Sequence, residues 1–541
     1  MKKLWEKTMK RVLLCGGPAV VLLAASVASA QVNVPVQQPF KSPMACHVYF
    51  SNIDVLPGEG RTAVIRFDIA WTGSWRHDVN HDAAWVFFKF RVEGDDSKTW
   101  RHVRLAADKI LNPPGYGQAP AGAPLSFEWG KSPADLKTFT AAGDTQFDFL
   151  VPDGEDGFTG MFVRRADHGM GLASGAKITA LWDLTTCPDV TKDTKVAIKA
   201  YGLKMVYVAE GSYYLGTGGD ETYAFYQSQA ERKQAAGTER IDDGNATMIV
   251  REPTKGEAEF PPYPVTSSAA IPTGKEPGRL WARGAEPEDG GEIPATFPNG
   301  YQAFYMMEQP IPQAAFAFFL NSLPPDLAEY HHEDGNHATD SGWAGVIVHG
   351  KGDVENPYQF HHGRLKSVCT WWLKWDDCAA FAAWAGLRPM TELENEKALR
   401  GPRYPVVNEA GHSFWGGSYG GGRYNAHPRE MEVTVATPEG RAFKGAHGTG
   451  SATNWPADWP KKDAVGTGVR NAQEAACGIT EIAAPFWCTS CRIGSALNDP
   501  ERNKIYGFRA ARTAPGEAKR NTVRNEEESS PVLHGWPATR E

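Results

Sequence analysis

The sequence lacks a long basic run, an internal repeat and, after its first thirty residues, any apolar segment long enough to cross a bilayer. Its 541 residues carry a formal net charge of −8, so we expect no nucleic-acid partner and no transmembrane segment after signal cleavage. Hydrophobic residues make up 41% and charged residues 22%, which is typical of a globular protein. The chain is too long for one ordinary core, so the sequence predicts two domains.

Residues 1–30 have the pattern of a secretory signal peptide. Basic residues occupy positions 2, 3, 7, 10 and 11, an apolar stretch follows over residues 12–27, and Ala28-Ser29-Ala30 forms an A-x-A cleavage site. The alternative is an N-terminal membrane anchor, for which the apolar stretch is short. We therefore expect a mature protein that begins near Gln31 and is exported, either periplasmic or secreted.

Cysteine is scarce, and export to the periplasm or the exterior determines whether its thiols are expected to be oxidised. Seven of the eight cysteines lie after the signal peptide, and in an oxidising compartment most of them should pair. Because seven is odd, at least one thiol is free or pairs with another molecule. Cys46 opens the first predicted strand and Cys187 follows the last strand of the same region. We predict a disulfide between them, worth about 5 kcal/mol in the chain-entropy model.

The N-terminal region, residues 43–190, reads as a β-sandwich. Short runs rich in β-branched and aromatic residues alternate with Gly, Pro, Asp and Asn. The predicted strands are 48–55, 62–71, 85–92, 98–105, 146–151, 157–164 and 177–184. A polar link over residues 188–195 then leads to a second domain.

The second domain, residues 196–515, combines a strand over 204–215, a few helices and long loops, so the overall class is α+β. Pro312 suits a first helical turn, and an apolar face follows it. Asp376 and Asp377 can cap a second helix that ends at Gly386. Thr391 and Glu394 form a capping box for a third, which ends before Gly401. The charged tail over 516–541 is predicted to be disordered.

Four segments of the second domain resemble one family, in the same order along the sequence. They are 205–216 (MVYVAEGSYYLG), 305–321 (YMMEQPIPQAAFAFFLN), 384–394 (WAGLRPMTELE) and 507–509 (GFR). Together they resemble the formylglycine-generating-enzyme, or sulfatase-modifying-factor, family. Residues 74–87 (SWRHDVNHDAAWVF) resemble a sandwich that precedes this domain in some bacterial members. Their dense polar set could be a ligand site or a structural corner bonded to backbone.

The resemblance implies a C-type-lectin-like fold rich in loops. It assigns motif positions to six residues: Glu308, Arg388, Thr391, Glu394, Arg470 and Arg509. For Arg388 we favour a structural role, paired with an internal carboxylate, over a catalytic one.

Members of this family oxidise a substrate cysteine through a cysteine pair that binds copper(I), a soft ion suited to thiolates. Arg470 matches the arginine of the glycine turn before that pair, but Asn471 and Ala472 replace the two glycines. Cys477 lies near the first cysteine position, and no cysteine occupies the second. Cys488 and Cys491 come too late in the sequence. They form a CxxC motif, which can be redox-active. The alternatives are that the two cysteines form a structural disulfide with each other or that one of them pairs with Cys477.

Two other metals are implied by the resemblance. The family's calcium-associated segment is best matched by residues 426–430, which retain only Glu430. Family members in sulfoxide synthesis use histidine-bound iron, so a histidine-rich region is a second candidate, with a solvated loop as the alternative. That region contains His331, His332, Glu333, Asp334, His337, His349, His361 and His362.

Taken together, the sequence predicts an exported family member that has diverged at the oxidase site and acts in binding or assembly, with an unknown protein or glycan as its ligand. The alternative is an active oxidoreductase of cysteine–copper or histidine–iron type.

Overall fold

The structure is a computed structural model, and it describes a little over half of the residues, within one compact unit that spans Val34–Glu541. The described residues are 48–95, 99–107, 111–113, 115–118, 126–127, 139–140, 145–152, 158–219, 221, 223–229, 260–282, 291–332, 346–350, 357–361, 373–407, 429–460, 489–490, 492 and 506–515.

Strands dominate the described residues: 41% lie in strands and 14% in helices, which supports an α+β or β-rich class. The strands are β1 Val48–Pro57, β2 Thr62–Arg76, β3 Asp82–Val92, β4 Arg101–His102, β5 Gly117–Gln118, β6 Ser126–Phe127, β7 Phe139–Thr140, β8 Phe147–Leu150, β9 Met161–Arg165, β10 Gly169–Asp183, β11 Val196–Val208, β12 Tyr213–Leu215, β13 Phe225–Gln227, β14 Tyr263–Val265, β15 Ile271–Pro272, β16 Leu280–Ala282, β17 Glu292–Ile293, β18 Phe304–Met307, β19 Val346–His349, β20 Tyr358–His361, β21 Arg388–Pro389, β22 Arg429–Met431, β23 Tyr506–Phe508 and β24 Ala510–Thr513. The helices are α1 Gln313–Leu320, α2 Pro325–His331, α3 Trp375–Trp384, α4 Glu392–Arg400 and α5 Pro438–Arg441, with a 3₁₀ turn at Leu184–Thr186.

One eight-stranded sheet runs through both halves of the protein. Its order is β21-β24-β18-β11-β3-β9-β8, with β4 paired to β3. A four-stranded sheet, β1-β2-β10-β5, belongs to the N-terminal half. The remaining described strands form two-stranded sheets. All described strand pairs are antiparallel except β22 with β23.

The two faces of the large sheet belong to different cores, as the period of two along a strand requires. Even-numbered residues of β3, such as Val86 and Phe88, pack with the four-stranded sheet. Odd-numbered residues, such as Trp85 and Phe87, pack with α1 and α3. The same alternation continues in β11. The large sheet therefore lies between the two cores and contributes one of its faces to each of them.

The predicted domain boundary falls inside this shared sheet. The sequence predicted a strand only from Lys204, but β11 begins at Val196 and pairs with β3 along its length. Gly202 permits this arrangement, because a Cβ there would lie 2.7 Å from the side chain of Val48 in β1. The two-domain division stays a prediction, although strands from either side of it are hydrogen-bonded together.

The predicted helices are present, with small shifts at their starts. Pro312 is the N-cap of α1 rather than its first residue. The N-cap of α3 is Lys374, and Asp377 accepts a hydrogen bond from its backbone N–H, so the two aspartates lie in the first turn. Helix α2 was not predicted, because its seven residues lack an apolar period. None of the described helices is both long and apolar enough to cross a bilayer.

The predicted Cys46–Cys187 disulfide stays a prediction. Cys187 is buried and forms no disulfide with another described cysteine, and Cys46 lies outside the described residues. We expect peptide mapping of exported protein under non-reducing conditions to recover a crosslinked peptide containing both residues. Alkylation of Cys187 in denatured, unreduced protein would contradict the pairing, and alkylation after reduction is the matched control.

Candidate functional site

Helix α4 is highly charged and nevertheless buried. Its capping box forms as predicted: Thr391 accepts from the N–H of Glu394, and Glu394 accepts from the N–H of Thr391. Acidic residues in the first turn and Lys397 with Arg400 in the last turn suit the helix dipole. Gly401 ends the helix with a φ of +76°. Its charged side chains are at most 4% exposed, so each needs an internal partner.

Arg388 supplies the partner for Glu394. The guanidinium donates two hydrogen bonds to the carboxylate, of 2.8 and 2.6 Å. This parallel geometry is the strong form of an arginine–carboxylate pair. The pairing with an internal carboxylate that we expected for Arg388 is present, and it joins β21 to the first turn of α4.

Glu392 is held in the same way by Arg492, which donates hydrogen bonds of 2.7 and 3.1 Å. Thr434 and the backbone N–H of Val435 also donate to Glu392. The guanidinium of Arg492 stacks 3.7 Å from the ring centre of Phe225. This one carboxylate therefore connects three segments that are far apart in the sequence.

Glu396 binds the same segment as Glu392 through Ser490 and one further segment through Gly216. It accepts from Ser490 Oγ at 2.5 Å, from Arg400 at 3.1 Å and from the backbone N–H of Gly216 at 2.6 Å. Ser490 and Arg492 flank candidate residue Cys491 in sequence. The segment that carries the CxxC is thus fastened to α4 at two described positions.

Lys397 is buried without a carboxylate in hydrogen-bond contact among the described residues. Its ammonium donates to the carbonyls of Gly300 at 2.6 Å and Tyr301 at 3.1 Å. Burial lowers the pKa of Lys397 to about 7, against an opposing effect of Glu394 and Glu210. An amine that changes charge near neutral pH inside the fold makes stability pH-dependent.

A second buried series of charges joins the two halves. Lys204 lies between Glu308, at 3.1 Å, and Asp82, at 3.5 Å. Arg509 donates to the backbone carbonyl of Glu308 and pairs with Glu430 at 2.9 Å. Two motif arginines, Arg388 and Arg509, are thus both engaged with internal carboxylates.

The C-terminal end of α3 is bound by side chains from the large sheet. Lys89 donates to the carbonyl of Trp384 at 2.8 Å, Trp85 donates to that of Ala385 at 2.8 Å, and Arg512 donates to that of Gly386. Carbonyls at a helix end have no partner within the helix. Burial lowers the pKa of Lys89 well below its usual value, with a smaller effect of Arg104.

Several predicted site residues lie outside the described residues: Cys46, Arg470, Cys477, Cys488 and Cys491. Glu430, the calcium candidate, is buried and paired with Arg509. Among the residues that the structure describes, no three His, Cys, Asp or Glu side chains are grouped to hold a metal ion.

The described part of the histidine-rich region includes the end of a helix and two strands. His331 ends helix α2, is buried, and pairs with Asp377 at 2.9 Å. His349 and His361 lie in β19 and β20, and the rings of His332 and His349 are 6.5 Å apart. Glu333, Asp334, His337 and His362 are outside the described part of the protein.

Sequence reasoning missed Glu392, Glu396, Lys397, Lys89 and Arg492. Nothing in the sequence near α4 marks Arg492 as the partner of Glu392, because the two residues are 100 positions apart. A usable signal was present only in Arg400 and Glu396, which have the i, i+4 spacing of a helical ion pair.

No family model matches this protein. The sequence also has no significant match among curated proteins.

Proposed function

We propose that this protein is an exported member of the formylglycine-generating-enzyme family that has diverged at its oxidase site and acts in binding or assembly. The proposed architecture is a β-sandwich followed by a C-type-lectin-like domain. The ligand class within this proposal is a protein or a glycan, and copper and calcium are the metals that the resemblance suggests.

The observation that carries the proposal is that three of the four family-like segments meet in one sheet around β24, which directly follows the fourth segment, residues 507–509. Residues 205–208 pair with 304–307, and 304–306 pair with 511–513. Arg388 and Pro389 pair with Ala511 and Ala510. Strands as far apart in sequence as Phe304 and Thr513 are therefore neighbours, as expected if the family-like segments form a common structural core.

The charged residues of these segments also favour a structural role over a catalytic one. Arg388 and Arg509 are 1% and 2% exposed, and each is bound to an internal carboxylate. Such residues hold loops in place and have no free donor directed at a substrate. Divergence at the oxidase site rests on the sequence, in which one cysteine and no glycine turn occupy the expected region.

The test is an oxidation assay on reduced, copper-loaded mature protein with a cysteine peptide and oxygen. We expect no aldehyde by mass spectrometry, because copper(I) needs two converging thiolates and only Cys477 is near the family position. Aldehyde that disappears in Cys477→Ser would contradict the proposal and support the oxidoreductase alternative. Metal analysis and a thiol count on the purified mature protein, before reduction and copper loading, separate cysteine–copper from histidine–iron chemistry.

A further inference from the structure

Three arginines gather where the short edge strand β8 meets β9 and the end of β2. They are Arg76, Arg164 and Arg165. Arg76 and Arg164 lie within 4 Å of the carboxylate of Asp148, whereas Arg165 donates to the hydroxyl of Ser74 and the carbonyl of Leu172. The side chains of Arg76, Arg164 and Asp148 are 12%, 13% and 20% exposed. These three side chains are therefore mostly buried but keep some exposure, and at contact distance two cations share one described carboxylate.

Asp148 does not satisfy the arginines that it faces. It lies directly opposite Arg164 in the β8–β9 register, yet its Oδ2 is 3.8 Å from Arg164 and 3.9 Å from Arg76. Charge-assisted arginine–carboxylate hydrogen bonds are about 2.7–2.9 Å long. One oxygen thus sits between two guanidinium groups without a hydrogen bond to either.

The two guanidinium groups are held in position by other contacts. Arg76 donates to the carbonyl of Arg165 at 2.6 Å. Arg164 donates to the hydroxyl of Tyr305 at 3.1 Å, and the Tyr305 ring stacks on Phe162 at 3.9 Å. Arg164 Nε is buried and has no hydrogen-bond partner in the described part of the protein.

The Tyr305 hydroxyl is in turn fixed by a histidine. His81 has Nδ1 at 3.1 Å from the carbonyl of Val79 and Nε2 at 2.9 Å from Tyr305 Oη. A neutral ring that donates from Nδ1 accepts at Nε2, so Tyr305 donates to His81 and accepts from Arg164. This series of hydrogen bonds orients Arg164 without neutralising it. Burial lowers the pKa of Arg76, and the nearby charge of Arg164 lowers it further.

We propose that Arg76 and Arg164 form a binding site for a carboxylate group of a second molecule, and that Asp148 occupies this site loosely in the free protein. Two preoriented guanidinium groups suit a planar carboxylate. The resident group between them already has that chemistry. The inference rests on these contacts and not on the family proposal, although Arg76 lies in the family-like segment 74–87.

The test is calorimetric titration of the mature protein with acetate at constant ionic strength. Acetamide, which has a similar shape and no charge, is the ligand control. In Asp148→Asn the internal competitor loses its charge, so we expect acetate to bind at least tenfold more tightly than to the wild type. Adding Arg76→Gln to that variant should abolish the gain.

The matched control is Asp54→Asn, which makes the same change in net charge on the same half of the protein. Asp54 pairs with Arg66 on the surface, at 2.8 Å. We expect this variant to bind acetate as the wild type does. Equal affinity of the wild type and Asp148→Asn, equal gains in both asparagine variants, or a response to acetamide would each overturn the proposal.

Two further probes distinguish the source of the carboxylate. N-acetylalanine presents the α-carboxylate found at the end of a polypeptide, and N-acetylaspartate amide presents an acidic side group on a blocked backbone. Tighter binding of one of them than of acetate to Asp148→Asn identifies that source. Equal binding of all three supports a site for the carboxylate group alone.

Discussion

Replacing Arg388 by methionine should lower the free energy of unfolding by about 3–5 kcal/mol, because it leaves a buried carboxylate without its cation. Both side chains of the Arg388–Glu394 pair are at most 2% exposed. Among the described residues, the hydrogen bond that Glu394 would keep is the one from the backbone N–H of Thr391, at 3.1 Å. Urea unfolding followed by circular dichroism measures the change.

The double variant Arg388→Met with Glu394→Gln separates loss of charge pairing from loss of packing. It removes both charges, so we expect it to be more stable than Arg388→Met alone. Arg66→Met is the matched control, because its partner is the exposed Asp54, and such pairs contribute about 1 kcal/mol or less. Equal losses from Arg66→Met and Arg388→Met would refute the assignment of a buried, structural pair.

The stability of the wild-type protein should rise with pH between about 7 and the ordinary lysine pKa of about 10.4, partly through Lys397. The pKa of Lys397 in the fold is about 7. In this interval the unfolded protein binds a proton that the folded protein does not. Unfolding free energy therefore increases with pH, by up to about 1.4 kcal/mol per pH unit for one proton.

Lys397→Met removes this titrating group, so its unfolding free energy should rise less steeply with pH than that of the wild type. The difference in slope is up to about 1.4 kcal/mol per pH unit. Lys89 continues to contribute in both proteins, since its pKa is also lowered. Lys444→Met, at an exposed position, should keep the wild-type slope. Urea unfolding at pH 7, 8 and 9 decides the matter, and identical slopes in all three proteins would contradict the prediction.

Local sequence signals predicted the longest strands and three of the five described helices. The capping box of Thr391 and Glu394 gave the start of α4, because both partners lie within one turn. Alternating apolar residues gave β2 and β3. The prediction failed at β11, whose first residues follow a polar link, since only its pairing with β3 gives that segment its place.

The candidate site was predictable only where both partners of an interaction are close in sequence. Arg388 and Glu394 are six residues apart, and an internal partner for Arg388 could be expected. Arg492 lies 100 residues from Glu392, and the loose Asp148 contact with Arg76 depends on strands from separate hairpins. No local pattern indicates such pairs.

The sequence by itself determined the helix caps, the alternating strands and the resemblance that suggests a family, because these depend on residues within a few turns or on whole motifs. Tertiary structure decided that a helix as polar as α4 lies inside the protein. It did so by bringing Arg388, Arg492 and Ser490 to carboxylates that would otherwise require water. It also decided that both halves share one sheet, because the hydrogen bonds of β11 are completed by β3 on one side and β18 on the other.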